Sequence, residues 1–139
     1  MFAKILVAVD GSESSKKAFD QSVFLAQKCN SKLYIVHVVL DWEYGGDSAA
    51  TFELIDELRA KGMELLERCK TLALKSNVQV ETLLEQGDYA QEIIEVAKRN
   101  DCDLIIMGSR GMSPIKELLL GSVSLKVMHH ASCPVMIVR

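Results

Sequence analysis

The sequence has no excess of basic residues: 16 lysines and arginines stand against 19 aspartates and glutamates, for a net charge of −3. Nucleic acid and acidic membrane surfaces are bound through broad basic surfaces, so neither is predicted as a general partner. The chain also has no apolar run near the ~20 residues that span a bilayer. An anionic ligand would therefore have to be held by backbone amides, helix dipoles or a metal ion.

The cysteines lack the spacing of a metal site. Cys29, Cys69, Cys102 and Cys133 show neither a CxxC pattern nor histidines at ligand distances. They are typical of free, buried thiols in a reducing compartment, with a disulfide or metal site as the less favoured alternative. The apolar run 5–9 is too short for the hydrophobic core of a signal peptide. Both observations favour a cytoplasmic protein.

Two common nucleotide-binding motifs are also absent. GxxxxGK[ST] does not occur, so there is no P-loop lysine, and GxGxxG does not follow the first apolar run. A conventional nucleoside triphosphatase and a nicotinamide-dependent dehydrogenase are therefore not predicted.

Short β-branched apolar segments alternate with amphipathic segments along the chain. Strands are predicted at Ala3–Val9, Lys32–Val39, Val78–Leu84, Leu104–Met107 and Val135–Val138. Helices are predicted from the Ser12 cap to Asn30, over Ala49–Lys75, from the Asp88 cap onward, and up to His129 and His130. The βαβαβαβαβ pattern predicts one α/β domain over residues 1–139, a doubly wound parallel five-stranded sheet with helices on both faces.

Helical periodicity predicts which faces of the first two helices are buried. The expected positions are Ala18, Ser22, Leu25 and Cys29 in the first helix, and Leu54, Leu58, Leu65, Cys69 and Leu72 in the second. Gly62 lies within the second stripe, where it is expected to permit close packing despite a helix-propensity cost of ~1 kcal/mol.

The segment GSRGMSPIKELLLGSVS, Gly108–Ser124, is the strongest candidate for a binding site. It leaves the fourth strand, and open parallel sheets bind ligands beyond the carboxyl ends of their strands. Its glycines permit backbone amides to approach a phosphate, Ser113-Pro114 is typical of a helix start, and Ser122 begins another helical turn. The alternative is an ordinary turn, with Gly121 as a helix C-cap and Ser122 as an N-cap.

Four separated segments carry a family resemblance: AKILVAVDGSESS, the HVV that ends the second strand, DLIIMGSRG, and SCPVMIVR. Together with Gly108-x2-Gly111-x9-Gly121-Ser122 they are similar to the universal stress protein family, in its ATP-binding branch. The resemblance covers essentially the whole chain. It implies the strand order 3-2-1-4-5, ATP or another adenine nucleotide as ligand, and Mg²⁺ or Mn²⁺ bridging the phosphates.

The resemblance also implies roles for individual residues. Asp10 matches the acid near the ribose and the metal–phosphate cluster, and Arg110 lies where it could reach a phosphate. Ala8 and Val38 match positions that line the adenine, and Met107 a position beside the nucleotide. The implied triphosphate cradle is formed by Gly108, Gly111, Gly121, Ser122 and Val123.

Catalysis is less strongly predicted than binding. Asp10 is the only acid that the pattern places in the pocket, whereas His37 is typical of a hydrogen-bonded core histidine. His129 and His130 are expected to complement the dipole at a helix C-terminus. Tight nucleotide binding with slow or no turnover is therefore expected.

The expected function is a nucleotide-dependent dimeric switch or regulator in the stress response, with an unidentified regulatory partner protein. The last strand lies at a sheet edge in the implied order, so a homodimer through that strand is predicted. A slow metal-dependent ATPase and a nucleotide-independent dimeric scaffold are the alternatives. The loop with Trp42 and Tyr44 is expected either to cover the nucleotide or to present exposed aromatics.

Overall fold

The computed structural model describes residues 1–40, 49–110 and 121–139, apart from the side chain of Ala49. Its strands are β1 (Lys4–Ala8), β2 (Lys32–Leu40), β3 (Gln79–Gly87), β4 (Leu104–Gly108) and β5 (Val135–Val138). Its helices are α1 (Glu13–Cys29), α2 (Ala49–Lys75), α3 (Tyr89–Arg99) and α4 (Ser122–His130). Gly111, the aromatic loop of Trp42 and Tyr44, and the predicted helix start at Ser113-Pro114 lie outside the described residues.

The strands form one parallel sheet in the order β3-β2-β1-β4-β5, which confirms the expected fold class. β1 lies between β2 and β4, with Ala8 beside Val36 and Val7 beside Ile106. Because all the strands are parallel, their carboxyl ends meet at one edge of the sheet. Strand order reverses between β1 and β4, and ligands of open parallel sheets bind beyond the strand ends at such a point, which is called the crevice below.

Each face of the sheet has its own apolar core. Ile5, Val7, Ile35 and Ile106 pack beneath α1 and α2, while the alternate strand positions pack beneath α3 and α4. The two faces follow from the strand period of two, which sends successive side chains to opposite sides. Since both faces are covered, the strands are apolar throughout, as parallel strands usually are.

The buried face of α1 differs from the predicted one. Ala18 and Ser22 are buried as expected, whereas Leu25 and Cys29 are only half-buried. The other buried residues of the helix are Ser15, Phe19 and Ala26. The periodicity is compatible with both neighbouring stripes, and contact with the sheet selects the one that contains Phe19. The helix begins at Ser12, whose hydroxyl accepts from the Ser15 amide, and ends at Asn30 in the left-handed conformation.

The prediction for α2 is wrong at two positions: Leu54 and Leu72 are 42% and 52% exposed. The face that packs on the sheet is Gly62, Leu66, Cys69 and Ala73. This face follows the glycine, because the helix approaches the sheet most closely where a side chain is missing. The close packing expected at Gly62 is confirmed. Neither α2 nor any other helix in the described part of the chain is long and apolar enough to cross a membrane.

The four cysteines are free thiols, as predicted, but only Cys69 and Cys102 are buried, whereas Cys29 and Cys133 are half-buried. Burial raises the pKa of Cys69 to about 11 and that of Cys102 to about 12. The fold therefore holds both thiols in their neutral form, as expected of core cysteines.

Candidate functional site

The turn between β1 and α1 holds the Asp10 carboxylate at the crevice. Asp10 Oδ1 accepts a hydrogen bond from the Ser12 amide at 2.9 Å, and the Asp10 amide donates to Ser15 Oγ at 3.2 Å. Gly11 completes the turn with φ +86°, a conformation that other residues rarely adopt. Asp10 is half-buried. Its carboxylate is therefore fixed by the backbone of its own turn and faces the carboxyl end of the sheet.

Tyr89, which the sequence pattern did not single out, is affected by the charge of Asp10. It is the first residue of α3, and its side chain is partly exposed. Burial, followed by the negative charge of Asp10, raises the pKa of the Tyr89 phenol. The charge of Asp10 therefore acts on the phenol, although β2 lies between the strands that precede the two residues. In the sequence Tyr89 shows only that a helix begins after Asp88, which caps α3 by accepting from the Gln91 amide.

Gly108, at the end of β4, lies against the start of α1. A Cβ added at Gly108 would lie 2.0 Å from Ser14 Oγ and 2.7 Å from the Ser14 carbonyl carbon. Helix α1 and the end of β4 therefore pack together only because residue 108 has no side chain. This contact explains why residue 108 is a glycine, and it is compatible with the predicted role of Gly108 in phosphate binding.

Helix α4 begins directly against the turn that leaves β4. The Gly121 amide donates to the Ser109 carbonyl at 2.7 Å, and Ser124 Oγ donates to the same carbonyl at 3.2 Å. A Cβ added at Gly121 would lie 3.3 Å from that oxygen. The start of α4 is thereby joined to the carboxyl end of β4, in spite of the stretch of chain between them.

The first turn of α4 presents backbone amides rather than a side-chain cap. Gly121 is the N-cap and has no side-chain hydrogen bond, which excludes the alternative in which Ser122 is the cap. The amides of Ser122, Val123 and Ser124 have no acceptor within the helix, as at every helix start. Ser122 is exposed, whereas Ser124 is 2% exposed and its hydroxyl bonds to backbone carbonyls. The Ser122 hydroxyl is thus open to a ligand, whereas the Ser124 hydroxyl is not.

The remaining predicted residues differ in what they can offer. The side chains of Val38 and Met107 are buried in the core beneath α3 and α4, and Ala8 is half-buried against it, so a ligand would meet mainly their backbone. Arg110 is exposed beside the crevice, and its amide donates to Ser14 Oγ at 3.3 Å. His37 Nδ1 bonds to the Val9 carbonyl at 2.8 Å, as expected of a satisfied histidine.

A metal ion would have few protein ligands here. Among residues 1–40, 49–110 and 121–139, no three His, Cys, Asp or Glu side chains are grouped for metal binding. Asp10 supplies a single hard oxygen ligand, the type that Mg²⁺ and Mn²⁺ prefer. This donor set fits a cation whose other ligands are phosphate oxygens and water, and it does not fit an independent metal centre.

The chain is similar to known proteins over its full length. The profile of the universal stress protein family matches residues 1–139. Universal stress protein YxiE of Bacillus subtilis is 43% identical over 148 aligned positions, which cover 100% of both chains. The structure of UspA from Lactobacillus plantarum superimposes with a TM-score of 0.92 at 27% identity, covering 99% of this chain and 98% of that one.

Two similar solved structures contain adenine nucleotides. A universal stress protein in complex with cAMP matches with a TM-score of 0.77 at 28% identity, covering 99% of this chain and 97% of the other. A family protein of Arabidopsis thaliana with AMP bound matches with a TM-score of 0.74 at 28% identity, covering 98% and 90%. Profile, sequence and fold all agree over essentially the full length, and the chain belongs to the universal stress protein family.

Proposed function

We propose that this protein binds an adenine nucleotide, with ATP as the expected ligand, and acts as a nucleotide-dependent regulator rather than as an enzyme. The observation that carries the proposal is the start of α4, whose uncapped amides are held against β4 by the Ser109 carbonyl. A helix N-terminus favours anionic oxygens, and the net charge of −3 leaves such local dipoles as the means of holding them. The cAMP and AMP complexes of two similar proteins support adenine as the base of the ligand.

The proposed ligand contacts follow the crevice. The phosphates would lie on the backbone of Gly108, Gly121, Ser122 and Val123, with Gly111 and the Arg110 side chain completing the cradle. Asp10 would contact the ribose or a phosphate-bound Mg²⁺ or Mn²⁺. The backbone of Ala8, Val38 and Met107 would border the adenine.

Binding without rapid hydrolysis is proposed because the residues that would carry catalysis are engaged otherwise. The Asp10 carboxylate already accepts the Ser12 amide, and the His37 ring bonds to a main-chain carbonyl. Hydrolysis would need a positioned base for the attacking water. The metal ion, when bound, would neutralise phosphate charge.

The proposed switch would run from the nucleotide to the dimer through the hydrogen bonds of β5. The Val138 carbonyl accepts from the Ser109 amide at 2.8 Å and lies 3.5 Å from Ser14 Oγ. Ser109 belongs to the turn that leaves β4, and Ser14 belongs to the first turn of α1. β5 is the edge strand, and Met136 on it is exposed. A nucleotide that moves residues 108–110 would therefore also shift the proposed dimer strand, which is the basis of the switch.

Isothermal titration calorimetry of Gly121→Val with ATP and magnesium tests the proposal. A valine side chain meets the Ser109 carbonyl and separates the start of α4 from β4, so affinity should fall at least tenfold, about 1.4 kcal/mol. His130→Ala, at the exposed far end of the same helix, is the control and should bind as wild type. Wild-type protein that carries no co-purifying nucleotide and takes up no ATP would refute the proposal.

A further inference from the structure

β2 continues beyond β1 at the crevice. The pairing of β1 with β2 ends at Ala8 and Val36, whereas the pairing of β2 with β3 continues to Leu40 and Gly87. The backbone groups of β2 that face β1 beyond Val36 consequently border the crevice instead of a strand.

Val38 carries the first such groups. The carbonyl of Val36 accepts from the Val9 amide at 2.9 Å, so the backbone groups of Val36 point towards β1. Alternate residues of a strand point to the same neighbour, and Val38 therefore also directs its amide and carbonyl towards β1. In a regular parallel ladder the Val38 amide would donate to the Val9 carbonyl.

The ring of His37 takes that carbonyl instead. His37 Nδ1 lies 2.8 Å from the Val9 oxygen. A carbonyl oxygen can only accept, so Nδ1 is the protonated nitrogen and donates. Among the backbone hydrogen bonds of residues 1–40, none joins the Val38 amide to the Val9 carbonyl, which bonds instead to the imidazole on the α2 side of the sheet.

The ring is held in this orientation by α2. A Cβ added at Gly62 would lie 2.5 Å from His37 Cδ2 and 3.0 Å from Leu84 Cδ1. The helix backbone at Gly62 therefore lies directly over the imidazole, and Leu84 flanks the same position. The absence of a side chain at residue 62 provides the space that the ring occupies.

We propose that His37 is a positioning residue for base recognition: by holding the Val9 carbonyl, it keeps the backbone of Val38 available to an adenine edge. This inference rests on the proposed function. An amide donor beside a carbonyl acceptor matches the ring nitrogen and exocyclic amine of adenine and mismatches guanine, whose corresponding groups are reversed. His37, on the α2 side of the sheet, thus contributes to the proposed preference for ATP over GTP.

Binding of ATP and of GTP by wild type, His37→Leu and His37→Asn tests the role. The leucine variant frees the Val9 carbonyl to accept the Val38 amide, so the ratio of ATP to GTP affinity should fall about tenfold, the effect of one hydrogen bond. Asparagine can place an amide N–H near the position of Nδ1 and should restore most of the preference. A purely structural role would weaken both nucleotides equally.

Amide hydrogen exchange in nucleotide-free protein supplies a second readout. The Val38 amide should exchange faster than the Val36 amide in wild type and become protected in His37→Leu. Gly62→Ala displaces the ring without removing it and should shift both readouts in the same direction. This variant replaces His37→Leu in the test if the leucine variant does not fold.

The outcomes separate the two proposals. Wild type that binds neither nucleotide overturns the proposed function. Wild type that prefers ATP, with the same preference in folded His37→Leu or Gly62→Ala, overturns the role of His37 alone. Equal protection of Val36 and Val38 in nucleotide-free wild type also overturns it.

Discussion

Replacing Ser122 by aspartate should stabilise the protein and weaken nucleotide binding at the same time. Ser122 is the exposed first residue of α4, so a carboxylate there meets the positive end of the helix dipole. The same position faces the proposed phosphates, which carry negative charge. The two effects have opposite signs because the same carboxylate is attracted by the helix dipole and repelled by the anionic ligand.

The expected sizes follow from the exposure of Ser122. A surface carboxylate at a helix start contributes about 0.5 kcal/mol to the free energy of unfolding. Repulsion between two unit charges 4 Å apart ranges from about 1 kcal/mol in water to about 4 kcal/mol near a protein surface. ATP carries several such charges, so affinity should fall at least tenfold, about 1.4 kcal/mol.

Urea unfolding and calorimetry with ATP and magnesium measure the two quantities. Ser122→Asn has nearly the shape of the aspartate without its charge and should leave affinity within a few-fold of wild type. Ser132→Asp makes the same change of net charge at an exposed residue beyond the far end of α4. Raising the ionic strength should reduce the aspartate effect by screening. Unchanged ATP affinity in a stabilised Ser122→Asp would refute the placement of phosphate at α4.

Two further predictions concern the fold around the site. Gly108→Ala should lower the free energy of unfolding by about 1–3 kcal/mol in urea, because its Cβ meets the backbone and hydroxyl of Ser14; a variant as stable as wild type would contradict the contact. Because burial raises the pKa of Cys69 and Cys102 above 9.0 to about 11 and 12, their contribution to stability should be complete below pH 9 and be lost as pH rises through those values. Between pH 9 and pH 11, the free energy of unfolding should fall less in Cys69→Ala than in wild type. Equal falls in the two proteins would contradict the raised pKa of Cys69.

The elements of the fold were predictable because periodicity and caps are local properties. The bounds Ala49–Lys75 and Val135–Val138 agree with the structure, and Ser12 and Asp88 cap their helices as expected. The buried faces of α1 and α2 were less predictable, because several neighbouring stripes on each helix are apolar enough to pack. The sheet selects one of them through shape, at Phe19 and Gly62.

Some residues of the candidate site were likewise predictable from the sequence, and others were not. The start of α4 stood out because Ser122 follows a glycine after the fourth strand, although the sequence also allowed Gly121 as a C-cap, whereas the roles of Asp10, Val38 and Met107 came from family resemblance. Tyr89 carried no signal, since the effect of Asp10 on its phenol joins chain segments 79 residues apart and depends on the tertiary fold.

The sequence by itself determined a parallel α/β domain, the exclusion of P-loop and dinucleotide motifs, and a glycine-bordered helix start after β4. Only the tertiary structure decided that Gly108 receives α1, that the Ser124 hydroxyl faces inward, and that the His37 ring holds the Val9 carbonyl. Each of these contacts joins residues distant in the chain. Their geometry depends on how closely a helix packs on the sheet, and no local pattern specifies that distance.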